Sequence, residues 1–221
     1  MAKLHFDPEL LPIDALAGEA PVPPDRLQAD ALRRRFAQPP AWEPEITVER
    51  LVRPMSGALT AAAVLVPLVL RESGPTLLLT QRTAHLNAHA GQISFPGGRV
   101  EASDATPVDT ALRETQEEVG LDAHHIEVIG QLPEYHTGTG FKVTPVVGLV
   151  HAPFETRADP FEVAEIFEVP LSFLMNGMHH QRRTAEFSTG RRSFYVMPYE
   201  RYFIWGATAG MLRNLFHFLR A

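Results

Sequence analysis

The chain contains no cysteine, so neither a disulfide framework nor thiol chemistry is open to it. No stretch reaches the roughly 18 uncharged apolar residues that a membrane-crossing helix needs. The opening MAKLHFDPELLP lacks the basic-then-apolar pattern of a secretion signal. Positive charge is not in excess either: the formal net charge is −6, which argues against general nucleic-acid binding. Zinc is also disfavoured. His85 and His89 are four apart, yet their stretch has no helical period and no third soft ligand nearby. These absences lead to the expectation of a soluble, cytoplasmic protein with no membrane contact. The 221 residues, 45% hydrophobic and 21% charged, suffice for one sizeable core and one main domain.

Residues 1–48 are rich in proline and read as an N-terminal arm with one short helix over Pro24 to Phe36. The arm would pack on the main domain, residues 49–221, or on a second copy in a homodimer. Its Arg33-Arg34-Arg35 triplet reads as a solvated helix face or as a contact for an anionic ligand. Ala58 to Leu70 is almost continuously apolar, as a strand covered on both faces would be. Gly74-Pro75 then turns the chain into a second strand, Thr76 to Gln81, with Arg82 at its end. Ile126 to Leu132 and Val143 to Val150 read as further strands, and Thr184–Phe187 with Ser193–Val196 as a hairpin around Thr189-Gly190-Arg191. Arg182, Arg183, Arg191 and Arg192 on that hairpin are candidates for a phosphate contact or form a solvated tip. The apolar period from Ile204 through Leu212, Leu215 and Leu219 predicts a buried terminal helix.

The informative stretch lies between these strands. Thr106 can cap a helix, Pro107 suits its first position, Asp109 can close a capping box, and Gly120 can end it in a left-handed conformation. Residues 107–119 should therefore be helical. Val108, Leu112, Thr115 and Val119 fall on one stripe, facing a core, whereas Glu114, Glu117 and Glu118 converge on another face. Like charges at these spacings repel, by tenths of a kcal/mol per pair. A hard divalent cation that also meets substrate phosphates would compensate them; a solvated acidic surface with Arg113 as its counter-ion is the plainer alternative.

The segment Gly98, Arg113, Glu114, Glu117, Glu118, Gly120, Leu121 resembles the Nudix box, a loop-helix-loop that binds divalent metal and diphosphate. Asp104 stands in place of the usual glutamate, with one extra residue before Arg113, and Thr115 occupies the first apolar helix position. Leu78-Leu79-Thr80-Gln81-Arg82 followed by Gly91-Gln92-Ile93-Ser94-Phe95-Pro96-Gly97-Gly98 resembles the additional signature of the coenzyme A pyrophosphatase branch, and Ile204-Trp205-Gly206-Ala207-Thr208-Ala209-Gly210 is similar to the same branch. That branch often carries a second basic residue where this chain has Asn87.

The resemblance implies an α/β/α sandwich with a central mixed sheet over roughly residues 55–215. It implies Mg²⁺ or Mn²⁺ held by Glu114, Glu117 and Glu118 with the Gly98 carbonyl, and Arg113 orienting a carboxylate. A carboxylate beyond the box would be the base or a further metal ligand, with Glu162 the first choice and Glu165 the second. Arg82 suits a phosphate contact, and His89, Gln92 and the backbone at Gly97 are candidates near the substrate. The implied substrate is coenzyme A or acyl-CoA. Other readings are a different nucleoside diphosphate derivative, such as ADP-ribose, a dinucleoside polyphosphate or a capped RNA end, or a non-catalytic phosphate-binding module.

Overall fold

The computed structural model describes residues 7–45, 59–84, 91–187 and 190–221. His85, Asn87 and His89 lie outside the described residues, as does the hairpin turn at 188–189. The described strands in chain order are β1 (Ala15–Leu16), β2 (Thr60–Leu70), β3 (Thr76–Arg82), β4 (Ile93–Ser94), β5 (Gly97–Arg99), β6 (Ile126–Gln131), β7 (Tyr135–His136), β8 (Phe141–His151), β9 (Val163–Pro170), β10 (Gln181–Phe187), β11 (Gly190–Tyr199) and β12 (Tyr202–Trp205). The described α-helices are α1 (Ala29–Ala37), α2 (Pro107–Val119), α3 (Leu171–Leu174) and α4 (Gly206–Arg220).

The frame is a mixed sheet whose spine is β2 lying parallel to β8 along its whole length. β3 and β5 pair antiparallel with the other edge of β2, β6 and β7 with β8, and β9 with β3. Pro67 has no N–H to give, and it falls in the gap between the β5 pairing at 62–64 and the β3 pairing at 68–69.

The apolar run of β2 is buried on both faces, as its composition predicts. Ala62, Val66 and Leu68 join the large core with Leu212, Leu215, Phe216 and Ile204, whereas Ala63, Leu65 and Val69 face α2. A second, four-stranded sheet, β1-β10-β11-β12, lies on the large-core side with α1 and α4. The fold is thus a mixed α/β sandwich with α2 on one face of the central sheet.

Several elements differ from the sequence expectation. The helix predicted over Pro24 to Phe36 is a 3₁₀ turn, Pro24–Leu27, and then α1, because Gln28 between them is extended (φ −72°, ψ 150°). Ile204 and Trp205 belong to β12, not to the terminal helix, which begins at Gly206 with φ 64°. The buried stripe of α2 runs through Ala111, Thr115, Glu118 and Val119, while Leu112 is only half-buried. The arginine triplet is also less solvated than its composition suggests: Arg33 pairs with Glu127 on β6 at 2.7 Å, and Arg35 donates to the Leu219 carbonyl at 3.3 Å.

The described part of the proline-rich segment is tied to the main body. Val22, Leu27 and Leu32 are buried in the large core. Arg213 of α4, 2% exposed, donates to Glu19 at 2.7 Å and to Glu45 at 2.8 Å, and so binds the segment to the last helix. Arg213 also donates to Nδ1 of buried His180 at 3.0 Å, and the His180 Nε2–H donates to the Leu174 carbonyl at 2.7 Å. Both ring nitrogens are therefore committed in the neutral form. Burial, with the Arg213 charge beside it, pulls His180 down to about 4, against the Leu174 bond. A depressed folded value means that the unfolded chain takes up the proton first. The stabilisation is full above pH 6.5 and is lost as pH falls through about 4. Urea denaturation across that window should show a loss on the order of 3 kcal/mol from this group, and His180→Gln should flatten that part of the profile.

Candidate active site on the acidic helix

Helix α2 has the limits its sequence dictates. Thr106 accepts the Asp109 N–H at 3.3 Å, Asp109 accepts the Thr106 N–H at 2.8 Å, and Gly120 closes the helix at φ 68°. Beyond Gly120 the chain returns to cover the helix end. The Arg157 N–H donates to the Val119 carbonyl at 2.8 Å and the Asp159 N–H to the Glu118 carbonyl at 2.9 Å, which satisfies two carbonyls the helix itself leaves open.

Arg113 is the hub of the exposed side of α2. Its Nε and Nη2 donate to the Asp104 carboxylate at 3.0 and 2.9 Å, and Nη2 also reaches the Arg99 carbonyl at 3.1 Å. Nη1 remains for Glu114 at 3.1 Å and Glu117 at 3.0 Å. Asp104 is held in turn by the Thr110 hydroxyl and the Glu101 N–H. Arg113, with these donors, keeps the Asp104 carboxyl well below its usual range. Sequence reasoning left Asp104 out of the site; the signal was its place in the box, where a glutamate is usual.

Glu118 lies on the other edge of the helix, 5% exposed. Its carboxylate accepts the Gly97 N–H at 3.0 Å and pairs with Arg82 at 3.6 Å. Burial, reinforced by the charges of Glu162 and Glu114, pushes it up to about 7, although the Gly97 N–H and Arg82 oppose the shift. Glu114 is raised as well, chiefly by burial. Arg82 is shared, because its guanidinium also pairs with Glu162 at 3.6 Å.

Of Glu162, Glu165 and Glu168, only Glu162 is in this group. Glu165 is bound to Arg201 and to the Tyr202 hydroxyl, and Glu168 to Arg71 and Thr76 at the far end of β3. Glu162 is placed by a clamp that the sequence did not show. Its N–H donates to the Asp159 carbonyl at 3.2 Å, its carbonyl accepts the Thr83 N–H at 2.9 Å, and the Thr83 hydroxyl donates to the Phe161 carbonyl at 2.9 Å.

The structure therefore gathers Glu114, Glu118, Glu162, Arg82, Arg113, Gly97 and Gly98 around α2 and β5. Gln92 enters through its carbonyl, which accepts the Arg82 N–H at 2.9 Å. His89 lies outside the described residues. Arg183 of the β10–β11 hairpin is not part of this group: it is buried and clamps the carbonyls of Pro8, Glu9 and Leu11.

The carboxylates do not converge on one point. Among the described residues no three acidic or histidine side chains stand close enough to form a closed metal site, since Glu117 is turned out to Arg113 and Glu118 inward to Gly97. Their chemistry still suits a hard cation. Three carboxylates stand on one helix, and that of Glu114 lies against the backbone at Gly98, where a Cβ would be 2.4 Å from it. That cradle leaves the Gly98 main chain against Glu114 with nothing between them.

Gly97 and Gly98 predict two different failures. A Cβ at Gly97 would meet the Ala63 carbonyl at 2.4 Å on a backbone at φ 152°, and neither can yield. Gly97→Ala should cost several kcal/mol, about the scale of strain plus overpacking, visible as loss of folded protein. For Gly98→Ala the nearest atoms are those at the end of the Glu114 side chain, not backbone. This substitution should leave the unfolding midpoint nearly unchanged while turnover falls by roughly tenfold or more, because Glu114 is displaced.

The NUDIX domain family matches residues 59–183. A protein of Salmonella heidelberg, named "Uncharacterized Nudix hydrolase NudL", is 44% identical over 191 residues, covering 86% of this chain and 94% of its own length. A protein of the same name from Citrobacter koseri is 46% identical over 171 residues, 75% of this chain and 88% of that one. Among solved structures, a MutT/nudix family protein from Enterococcus faecalis aligns with 85% of this chain and 73% of its own at a TM-score of 0.47 and 16% identity. Among the described residues no helix is long and apolar enough to cross a membrane.

Proposed function

Because the chain belongs to the Nudix hydrolase family, we propose that the diphosphate linkage it hydrolyses is that of coenzyme A or acyl-CoA. The products are 3′,5′-ADP and 4′-phosphopantetheine or its acyl form. The observation that carries this reading is the position of Arg82. It belongs to the Leu78-to-Gly98 signature that resembles the coenzyme A pyrophosphatase branch, and its guanidinium lies between Glu118 and Glu162 at 3.6 Å from each. The residue typical of the branch is thus beside the carboxylates typical of the whole family.

The chain's own residues divide the work. Arg113 holds Glu114 and Glu117 at the exposed face of α2, and Asp104 holds Arg113. Gly97 fixes Glu118 through its N–H. Glu114, Glu117, Glu118 and the Gly98 carbonyl would hold a divalent cation, Mg²⁺ or Mn²⁺, which would supply acidity to water and offset charge on the diphosphate oxygens. Arg82 presents a fork of donors to a phosphate oxygen and leaves Glu162 free to act. Glu162, half-exposed at the rim, takes the proton as the water oxygen attacks one phosphorus. The bridging P–O bond breaks, and both halves leave as phosphate monoesters.

Incubation of the purified protein with coenzyme A and Mg²⁺ or Mn²⁺ should yield 3′,5′-ADP and phosphopantetheine, with no products in a metal-free control. Cleavage of ADP-ribose, a dinucleoside polyphosphate or a capped RNA end instead would retain the carboxylate chemistry and discard coenzyme A as the substrate. Inactivity towards all of them would leave a phosphate-binding module. Glu117→Gln should abolish turnover with an unchanged fold by circular dichroism; near-normal rates at saturating Mg²⁺ would remove Glu117 from the site.

A further inference from the structure

Phe161 is 74% exposed, more than any other Phe, Tyr or Trp whose burial is described. It precedes Glu162, whose carboxylate pairs with Arg82 beside Glu118. Its backbone is held on both sides. The Phe161 N–H donates to the Asp159 side chain at 2.9 Å, and the Phe161 carbonyl accepts the Thr83 hydroxyl at 2.9 Å. The turn that carries it is anchored to the catalytic helix by the Asp159 N–H on the Glu118 carbonyl, and to the start of β9 by the Val163 N–H on the Asp159 carbonyl at 2.8 Å.

An exposed ring on a mobile loop gains little by meeting a flat ligand, since the loop must first be ordered. Here that ordering is already made by four hydrogen bonds, and only the two side-chain torsions of Phe161 remain. Leaving an aromatic ring in water forgoes its burial, on the order of 2 kcal/mol, and at 74% exposure most of that is unrecovered by the described residues. Its chain neighbour Glu162 pairs with Arg82, and Arg82 with Glu118, so the turn that carries the ring also carries one edge of the charged site. A ligand that carries phosphate to Arg82 and a flat, apolar face to Phe161 satisfies both, and a nucleotide is that chemistry.

From this arrangement we propose that Phe161 is the stacking platform for the base of the nucleotide substrate, and so a specificity-determining residue rather than a catalytic one. The proposal rests on the reading of the α2 site as a nucleoside diphosphate hydrolase and deepens it. It assigns the base-bearing half of the substrate to the side of Glu162 and the 159–163 turn. Purine bases, with the larger π-face, stack better there than pyrimidines, whichever diphosphate ester is cleaved.

The test compares AMP with ribose 5-phosphate, which share the phosphate and the sugar and differ only in the base. Calorimetric titrations of the full-length protein in saturating Mg²⁺ need no turnover, so they stand apart from the choice of substrate. Wild-type protein should bind AMP more tightly than ribose 5-phosphate. Phe161→Ala should weaken AMP by roughly ten- to a hundredfold and leave ribose 5-phosphate unchanged, while Phe161→Trp should retain or strengthen AMP. Equal binding of the two ligands by wild type, no binding of either, or an Ala variant that binds AMP as wild type does would each overturn the proposal. With the substrate that wild type cleaves, Phe161→Ala should raise KM and spare kcat; a fall in kcat alone would overturn the assignment as a platform. Failure of the wild type to cleave any diphosphate ester would contradict the enzyme reading instead, and the AMP titration would still decide the role of Phe161.

Discussion

A single guanidinium makes the acidic helix tenable. Glu114 and Glu117 sit three residues apart on one face of α2, with Asp104 folded against the same surface, and their mutual repulsion opposes the geometry the site needs. Arg113 meets all three, dividing its donors between Asp104 on one side and Glu114 and Glu117 on the other. Because Asp104 is itself fixed by Thr110 and the Glu101 N–H, Arg113 is anchored to the loop and not only to its own helix. Glu118, the carboxylate that Arg113 does not reach, is pulled inward by the Gly97 N–H and Arg82. The like charges are therefore separated in pairs and held within reach of one another.

The central sheet serves this arrangement by bringing remote segments to one place. β5 pairs with β2 so that Gly97 and Gly98 lie under α2, and β3 ends at Arg82 beside the start of β9, where Glu162 stands. A register shift between Gln81 and Arg82 accompanies that ending. The opposite face of the sheet carries a different load. There the buried Arg213, with Glu19, Glu45 and His180, ties the proline-rich segment to the last helix through charge-assisted hydrogen bonds. A buried charge of this kind is tolerable only when every partner is present, so removal of one partner costs far more than removal of the whole set.

Much of the site was legible in the sequence because its signals are local. Thr106, Pro107, Asp109 and Gly120 define α2 through contacts within a few residues, and the structure has the helix at 107–119. The Gly97-Gly98 pair read as a place where the backbone could approach a substrate; the close approaches in the structure are to the Ala63 carbonyl and the Glu114 carboxyl. The unpredicted features depend on distant partners. Glu162, Glu165 and Glu168 look alike in sequence, and what separates them is that they meet Arg82, Arg201 and Arg71 respectively. Glu118 read as one of three equivalent carboxylates, yet it is buried because its edge of α2 lies against β5. The division of the N-terminal helix at Gln28 and the transfer of Ile204 and Trp205 to β12 follow from packing that no local pattern encodes.

The claim on which the rest depends is that the carboxylates of α2 exist to hold a divalent cation. Mn²⁺ binding followed by electron paramagnetic resonance tests it without any assumption about substrate. Wild-type protein should take up Mn²⁺, and the double variant Glu114→Gln with Glu118→Gln should bind it at least about tenfold more weakly with its unfolding curve intact. Equal Mn²⁺ affinity in the two proteins would contradict the account and return α2 to a solvated acidic surface held together by Arg113.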